Sequence, residues 1–122
     1  MVVLAVAICG ALGALLRFGV NRVMGGEAFP YSTLLVNGVG SFLIGYTFFA
    51  FQGGGSLSWC PPWVKVGMTV GFWGALTTFS TFSLDSLKLF TAGAMGLGLL
   101  NLLANNFLCL SFCYLGWKVG QL

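Results

Sequence analysis

One short run in the third apolar block of the chain places hydroxyl and phenyl side chains side by side. Two phenylalanines three residues apart, Phe79 and Phe82, interrupt a series of five hydroxyl residues within seven positions. The hydroxyl residues are Thr77, Thr78, Ser80, Thr81 and Ser83. Polar groups in hydrocarbon need partners or water, so such a run is costly without a use. Hydroxyl hydrogens and the positive edges of phenyl rings can solvate a small anion, although a phenylalanine pair at this spacing is also ordinary helix packing.

The residues at the start of this run disfavour a continuous helix. Gly67, Gly71 and Gly74 precede the β-branched pair Thr77 and Thr78, and both residue types have low helix propensity. We therefore predict a break between residues 74 and 78. A break in mid-membrane exposes backbone carbonyl oxygens, which is tolerated only where they are buried in protein or line a site. Such oxygens are hard ligands that suit a monovalent or other hard cation.

Two further polar side chains lie in the other apolar blocks. Asn37 is followed by Ser41 and Gly45 at four-residue spacing, so the three residues share one face of a helix. The Asn37 amide either forms hydrogen bonds between helices or lines a polar path as a donor. Arg17 falls where the first block would leave the hydrocarbon. It is either an interfacial anchor or a positive charge at the mouth of an anion path.

The composition indicates an integral membrane protein of the lipid bilayer. Of the 122 residues, 58% are hydrophobic and 6% are charged, whereas soluble domains carry roughly 25% charged residues. The apolar blocks are long enough for the about 20 residues that a helical span needs. We predict an all-α membrane protein with a single four-helix transmembrane domain over residues 1–122. The predicted spans are about residues 2–24, 32–51, 63–89 and 92–118, with the third helix broken near its middle.

The residue inventory argues against several classes of function. The chain has no histidine, and its four cysteines form no CxxC spacing, so we predict neither a zinc site nor a disulfide framework. There is no nucleophile–base pair and no phosphate-binding loop, so we predict that the protein is not an enzyme. A net charge of +3 without a basic stripe argues against a nucleic-acid partner.

Some local contacts can also be predicted. Ser32 or Thr33 can cap the second helix, and Asp85 and Lys88 are three residues apart, so they can form an ion pair where the third helix ends. The fourth block places four polar residues on one helix face at four-residue spacing: Asn101, Asn105, Cys109 and Cys113.

The positive charges favour neither orientation across the membrane. With four spans, Lys65 and Lys118 lie on one side, and Arg17, Arg22 and Lys88 lie on the other. Two against three is a small bias for a rule that depends on Lys and Arg asymmetry. We therefore predict that the chain inserts in both orientations and forms an antiparallel dimer. Four short helices enclose little space, so a pore needs a partner chain, which from the sequence is either identical or related.

At this point the residues resemble the CrcB/Fluc family of fluoride channels. The run from Gly74 to Ser83 is the most specific match. The other matching stretches are Gly10–Arg17 in the first span, Thr33–Asn37 with Gly45 in the second, and Leu115–Gly116 in the fourth. The resemblance covers essentially the whole chain in order and length. It implies a dual-topology homodimer with two fluoride pores and a sodium ion held at the dimer interface.

The resemblance also implies roles for individual residues. The backbone oxygens of Gly74 and Thr77 would bind the sodium ion, and Arg17 would lie in the vestibule. The fluoride pore would be lined by Asn37, Phe79, Ser80, Thr81 and Phe82. The implied function is passive fluoride export across the bacterial plasma (inner) membrane, which lowers cytoplasmic fluoride and its toxicity. The fourth span departs from the family pattern of Ser, Thr or Tyr facing the pore, and Asn105 is the residue expected to substitute.

Two other functions stay open from the sequence. A small dual-topology multidrug exporter has a similar length and helix count, but its proton coupling requires a carboxylate inside the first span. The acidic residues here are Glu27, in a loop, and Asp85, at a helix end. A non-conducting membrane assembly subunit would merely pack helices. In that case, replacing Phe79, Phe82 or Asn37 would change assembly rather than transport.

Overall fold

The chain folds into helices and contains no β-strand. A computed structural model describes all 122 residues. In chain order the elements are α1 (Val2–Met24), α2 (Tyr31–Ala50), α3 (Pro62–Val66), a π-helical segment (Gly67–Trp73), α4 (Gly74–Leu76), α5 (Phe79–Thr91) and α6 (Met95–Gly120). The prediction of an all-α fold is confirmed.

Three of these helices, α1, α2 and α6, are long and apolar enough to cross a membrane. Their outer faces carry large apolar side chains that a bilayer would cover, such as Leu15, Phe107 and Leu110. The predicted third span, residues 63–89, is instead divided between the stretch from α3 to α4 and the helix α5. Each part is shorter than the about 20 residues that a straight crossing of the hydrocarbon needs.

The helix break lies at Thr77 and Thr78, within the predicted range. Both residues have extended backbone angles, with φ −78° and ψ 153° at Thr77 and φ −151° and ψ 113° at Thr78. The Thr78 side chain then caps α5, because its Oγ1 accepts the Thr81 backbone N–H at 3.1 Å. A threonine N-cap supplies an acceptor that the first helical turn lacks. The same residue that interrupts one helix therefore starts the next.

The packing of α2 against α6 is the most extensive helix contact in the fold, and glycines permit it. A Cβ atom added at Gly45 would overlap the Cys113 carbonyl oxygen, and one added at Gly116 would overlap the Phe42 carbonyl oxygen. Small residues let two backbones approach where lipid removes the hydrophobic driving force for helix association. This approach brings the polar residues of α2 and α6 within hydrogen-bonding distance of each other.

Glycines also bring α1 against the π-helical segment. A Cβ atom at Gly71 would crowd the Val6 carbonyl oxygen, and one at Gly67 would crowd the Ala5 side chain. Gly67 and Gly71 form a GxxxG pair, and their contact with α1 agrees with the close packing that such a pair predicts. A π-helical turn within a helix is uncommon and frequently lies near functional sites. Here only the three residues of α4 separate it from the break.

A small apolar core lies beside the break. Trp73, at the end of the π-helical segment, is buried with Leu76 of α4 and Val36 of α2. These side chains fix α4 against α2, and they do so one residue before the backbone becomes extended. The break is therefore anchored by packing on its N-terminal side.

The predicted cap of α2 is wrong. Pro30 is the N-cap of this helix, and no side chain caps it. Thr33 lies inside the first turn, where its Oγ1 donates to Asp85 Oδ2 at 2.7 Å. The observed partner of Asp85 is therefore Thr33 and not the predicted Lys88. This hydrogen bond joins the start of α2 to α5.

A lysine holds the loop that follows α2. Lys65 Nζ donates to the Phe51 carbonyl oxygen at 2.7 Å and to the Ser58 carbonyl oxygen at 3.0 Å. Phe51 is the C-cap of α2, where the carbonyl groups carry the negative end of the helix dipole. Lys65 thus ties α3 to the end of α2 and fixes where the third block begins.

Candidate functional site

One side chain from α2 holds the extended backbone at the break. Asn37 Oδ1 accepts the Thr78 N–H at 2.7 Å, and Asn37 Nδ2 donates to the Thr78 carbonyl oxygen at 3.2 Å. The amide therefore bonds both backbone groups of one residue, as the facing residue does in an antiparallel strand pair. Both residues are buried, where a backbone polar group without a partner would be costly. The contacts of Asn37 are thus hydrogen bonds between helices, one of the two interpretations of its sequence position.

The hydrogen bonds continue from Asn37 across α6 and back to α5. Asn37 Nδ2 also donates to Asn105 Oδ1 at 3.0 Å, and Asn105 Nδ2 donates to Asn101 Oδ1 at 2.9 Å. Asn101 Nδ2 donates to Ser86 Oγ at 2.9 Å, and Ser86 Oγ donates to the Phe82 carbonyl oxygen at 2.8 Å. We refer to these four polar side chains as the amide chain, which consists of Asn37, Asn105, Asn101 and Ser86.

The amide chain is buried along its whole length. Asn101 is 0% exposed, and Ser86 and Asn105 are 4% and 5% exposed. Buried networks of this kind stabilise a unique arrangement when their members are satisfied, and they are costly when one partner is removed. Both amide hydrogens of Asn37 already have acceptors. The amide chain therefore holds the shape of the site with bonds inside a single chain.

The two phenylalanines of the central run contact each other but differ in their surroundings. Their ring centroids are 5.3 Å apart with an interplanar angle of 64°, an edge-type contact. Phe82 is buried at 5% exposure, whereas Phe79 is 76% exposed. An edge-type contact directs the positive edge of one ring at the negative face of the other and leaves further ring edges free. Phe82 thus belongs to the interior of this chain, and Phe79 projects from it.

A cavity of about 340 Å³ opens beside this aromatic pair. Its wall combines polar groups with phenyl rings, and α2, the break, α5 and α6 all contribute to it. The residues that matter for the chemistry are Asn37, Ser41, Thr77, Phe79, Phe82 and Cys109. Three of the five predicted pore residues therefore meet at one cavity.

The hydroxyl groups after the break form a local cluster at the N-terminus of α5. Thr78 Oγ1 donates to Thr81 Oγ1 at 3.0 Å and lies 3.2 Å from Ser80 Oγ. A hydroxyl has one hydrogen, so Ser80 is the donor in the second bond. The Thr81 hydroxyl hydrogen has no acceptor in the chain. It lies in the first turn of a 13-residue helix, where the helix dipole favours an anion.

A second cavity of about 460 Å³ lies on the other side of this helical turn. Thr81 lines it together with Thr33, Asp85 and Lys88. Thr81 and Phe82 are adjacent in sequence, and each lines a different cavity. The first turn of α5 is therefore the partition between the two cavities.

The remaining predicted residues lie around this centre. Ser80 is exposed and bonds Thr78. Gly74 is exposed at the start of α4, three residues before Thr77. Arg17 is half-buried on α1 and lines neither of the two cavities.

The break alters the hydrogen bonding of two carbonyl groups. In a continuous helix the Thr78 N–H would bond the Gly74 carbonyl oxygen, but it donates to Asn37. The Thr81 N–H would bond the Thr77 carbonyl oxygen, but it donates to Thr78 Oγ1. The chain contains no cluster of three or more His, Cys, Asp or Glu side chains that could hold a metal ion. The carbonyl oxygens of Gly74 and Thr77 thus lack the donors that a continuous helix would give them.

Two participants in this network were not identified from the sequence. Ser86 follows the hydroxyl run by three residues in α5, but it lies outside that run, which ends at Ser83. The sequence predicts Thr33 as a candidate helix cap and as part of the matching stretch in the second span, whereas its hydroxyl bonds Asp85. A signal for Ser86 was available: Asn101 and Asn105 share a face of an apolar helix, so they require a polar partner on the facing helix.

Comparison with known proteins gives a consistent result over nearly the whole chain. The family described as "CrcB-like protein, Camphor Resistance (CrcB)" matches residues 4–117. A protein of Magnetococcus marinus named "Fluoride-specific ion channel FluC" is 42% identical over 120 residues, which cover 96% of this chain and 95% of that protein. Proteins with the same name from Shewanella frigidimarina and Dehalococcoides mccartyi are 44% and 42% identical, over 96% and 98% of this chain and 94% and 92% of their own lengths. The chain therefore belongs to the CrcB family.

Proposed function

We propose that this protein is a fluoride-selective ion channel. The observation that carries the proposal is the meeting of Asn37, Phe79 and Phe82 at one cavity beside a helix break, in a chain whose relatives are named fluoride-specific ion channels. A small anion that leaves water needs hydrogen-bond donors and positive ring edges in place of its hydration shell. The ring edges of Phe79 and Phe82 border this cavity, and the Thr81 hydroxyl hydrogen, which has no acceptor in the chain, lies in the same turn of α5.

The two cavities suggest the course of the anion. Thr81 lines the cavity of about 460 Å³, and Phe82 lines the cavity beside the aromatic pair. An ion that moves past the side chains of the first turn of α5 would therefore go from one cavity to the other. The Thr81 hydroxyl hydrogen and the positive end of the α5 dipole both favour negative charge there. Lys88 shares its cavity with the carboxylates of Asp85 and Glu27, so Lys88 alone does not make this cavity positive. Arg17 in the vestibule would attract an anion from water.

Conduction requires a second copy of the chain. Gly74, Ser80 and Ser83 are exposed, and Phe79 is 76% exposed, although the sequence places them in the middle of a membrane span. Exposed backbone and hydroxyl groups at that depth must be covered by protein or line a water-filled path. A homodimer with antiparallel protomers covers this face with the same face of its partner, as a twofold interface requires.

Antiparallel insertion can be tested by chemical labelling. A cysteine engineered at Gly53, in the loop after α2, should be labelled from both sides of the membrane in a variant in which the native cysteines are replaced. Labelling from one side only would contradict dual topology. Gly53 has open space around it, so the substitution should leave the fold unchanged.

A structural sodium ion fits the oxygen atoms at the break. The carbonyl groups of Gly74 and Thr77 have lost their usual helical donors, and hard oxygen ligands suit sodium. These two oxygens and their copies in an inverted partner would surround a sodium ion at the dimer interface. The charge of that ion would offset the four carbonyl dipoles that point at it. Replacing sodium by a large organic cation should lower the unfolding temperature and weaken the dimer. An unchanged dimer in sodium-free buffer would contradict this role.

The transport is passive, and its physiological effect would be fluoride export from a bacterial cell. The spans contain no carboxylate suited to proton coupling, since Glu27 lies between α1 and α2 and the Asp85 carboxylate accepts a hydrogen bond from Thr33. This absence argues against the multidrug exporter. The chain would then act in the plasma (inner) membrane and lower cytoplasmic fluoride.

The proposal is tested by ion efflux from liposomes that contain the purified protein. Fluoride and chloride electrodes would follow the two ions in parallel, without an imposed pH gradient. Fast fluoride loss with little chloride loss is expected. Folded dimers without fluoride efflux would refute the channel and favour the assembly subunit, whereas efflux that depends on a pH gradient would refute passive transport.

A further inference from the structure

We propose that Ser86 and Asn101 are positioning residues that set which anion the aromatic pair admits. This inference rests on the proposed fluoride channel. Neither residue lines the cavity beside the aromatic pair, and both are buried. They act through the hydrogen bonds of the amide chain, which connect the two ends of the α5 segment that carries the rings.

The amide chain holds α5 at two points. At the break, Asn37 bonds both backbone groups of Thr78. Two turns later, Asn101 bonds Ser86 Oγ, which bonds the Phe82 carbonyl oxygen. Phe79 and Phe82 lie between these two points, so the position of their backbone is fixed from both sides.

The two holding points share one rigid support. Asn37 belongs to α2 and Asn101 to α6, and Asn105 joins them through bonds of 3.0 Å and 2.9 Å. The backbones of α2 and α6 approach so closely that no Cβ fits at Gly45. A shift of either helix is therefore resisted by packing, and the amide chain transmits the α2–α6 spacing to α5.

The ring pair is sensitive to this support because its geometry is set by the backbone of α5. Phe82 is buried, and its carbonyl oxygen is the last acceptor of the amide chain. If the bond from Asn101 is lost, the second turn of α5 is free to move away from α6. The gap between the rings and α6 would then widen, and an anion larger than fluoride would enter more easily.

The experiment compares fluoride and chloride efflux from liposomes for four variants of the full chain. Ser86→Ala and Asn101→Leu each remove the bond between α5 and α6, and Asn101→Leu also removes the side-chain acceptor of Asn105. The double variant combines the two substitutions. Each single variant should lower the ratio of fluoride to chloride efflux about tenfold, a change of the size expected for one buried hydrogen bond. The double variant should lower the ratio no further than the larger single change, because both substitutions break the same link. Ser86→Thr keeps the hydroxyl and should keep the ratio.

Thr91→Ala is the matched control. Thr91 Oγ1 donates to the Leu87 carbonyl oxygen at 3.0 Å, the same bond to its own helix that Ser86 makes, but Thr91 is exposed and does not belong to the amide chain. This variant should behave like the unmodified protein.

Each outcome has a distinct meaning. An unchanged ratio of fluoride to chloride efflux in folded Ser86→Ala dimers would overturn the inference. A double variant whose ratio falls by the product of the two single changes would also overturn it. A lower fluoride rate with the ratio unchanged would indicate a merely structural role, which also overturns it. If Asn101→Leu does not fold, the pair Ser86→Ala and Ser86→Thr decides the question. Absence of fluoride efflux in the unmodified protein would instead refute the proposed function itself.

Discussion

The two sides of the helix break differ in where their polar groups find partners. On the inner side, Asn37, Asn101 and Asn105 bond one another, Thr78 and Ser86, all within one chain. On the outer side, Gly74, Ser80 and Phe79 are exposed, and the Thr81 hydroxyl hydrogen has no acceptor. The inner side combines residues of α2, α5 and α6, whereas the exposed groups all lie between Gly74 and Thr81.

This difference separates groups that hold the site from groups that are free to bind a ligand. A buried amide with all its hydrogen bonds made resists displacement, because breaking them leaves unpaired groups in a low dielectric. A hydroxyl or ring edge without a partner loses nothing when an ion arrives. We therefore expect substitutions on the inner side to change stability, and at Ser86 and Asn101 also the choice between anions. Substitutions on the outer side should change transport and leave the stability of the single-chain fold nearly unchanged.

The largest effect is expected from Asn37→Leu on the inner side. The substitution removes both bonds to Thr78 and the bond to Asn105, and it leaves two backbone groups of the break unpaired. The expected loss of stability is about 2–5 kcal/mol, measured by thermal unfolding in detergent. Asn106→Leu is the control, since Asn106 is exposed and bonds only the Leu102 carbonyl oxygen of its own helix. Equal losses in the two variants would contradict the holding role of Asn37.

A somewhat smaller effect is expected from Gly45→Ala, which acts on the support of the amide chain. The added Cβ would overlap the Cys113 carbonyl oxygen, so α2 and α6 must separate. Overpacking of this kind costs about 1–3 kcal/mol, again measured by thermal unfolding. Gly19→Ala should not destabilise the protein, because a Cβ at Gly19 meets nothing within 4 Å. A Gly45→Ala variant as stable as Gly19→Ala would show that the close approach of α2 and α6 is unimportant.

The aromatic pair allows the two sides to be compared with one kind of substitution. Phe82→Ile should destabilise the protein by about 1 kcal/mol because it removes a buried ring. Phe79→Ile should leave the stability of the single-chain fold nearly unchanged, since Phe79 is 76% exposed. Unfolding temperatures under conditions that separate the protomers would measure both. A larger loss for Phe79→Ile would place that ring, and not Phe82, among the groups that hold the fold.

The smallest effect is expected from Lys65→Met. Lys65 belongs to α3 and contacts neither the amide chain nor the exposed groups at the break. The substitution removes two hydrogen bonds to the carbonyl oxygens of Phe51 and Ser58, and the first of them is partly buried. The expected loss of stability is about 0.5–1 kcal/mol, with the ratio of fluoride to chloride efflux unchanged. A changed ratio would show that the loop after α2 influences the pore.

The break itself could be predicted from the sequence because its causes are local. Low helix propensity at Gly74, Thr77 and Thr78 indicated where the helix would fail, and the extended residues fall within that range. The GxxxG pair of Gly67 and Gly71 is also a local pattern that favours close helix packing, and a Cβ at either glycine would crowd α1. Such features depend on residues that are near in sequence.

The partners across the break could not be predicted, because they depend on how helices meet. From the sequence, the Asn37 amide could either bond another helix or line a polar path. The packing of α2 against α6 and the break places it beside Thr78 and Asn105, which it bonds. Asp85 lies three residues from Lys88 but bonds Thr33, 52 residues away in sequence. The four-residue spacing of Asn101 and Asn105 indicates one polar face on α6 and therefore a polar partner on the facing helix, but it does not identify Ser86 as the acceptor of the Asn101 amide.

The most direct test of the channel is fluoride efflux from liposomes that contain either the unmodified protein or Phe79→Ile, with the unfolding temperature measured on the same preparations. We predict fast fluoride loss and slow chloride loss for the unmodified protein. For Phe79→Ile we predict a fluoride rate at least about tenfold lower at an unchanged unfolding temperature of the separated protomers, since a free ring edge that solvates the ion is lost. Equal fluoride rates in the two proteins, or no fluoride loss from folded dimers of the unmodified protein, would contradict the assignment of the exposed side of the break to ion conduction.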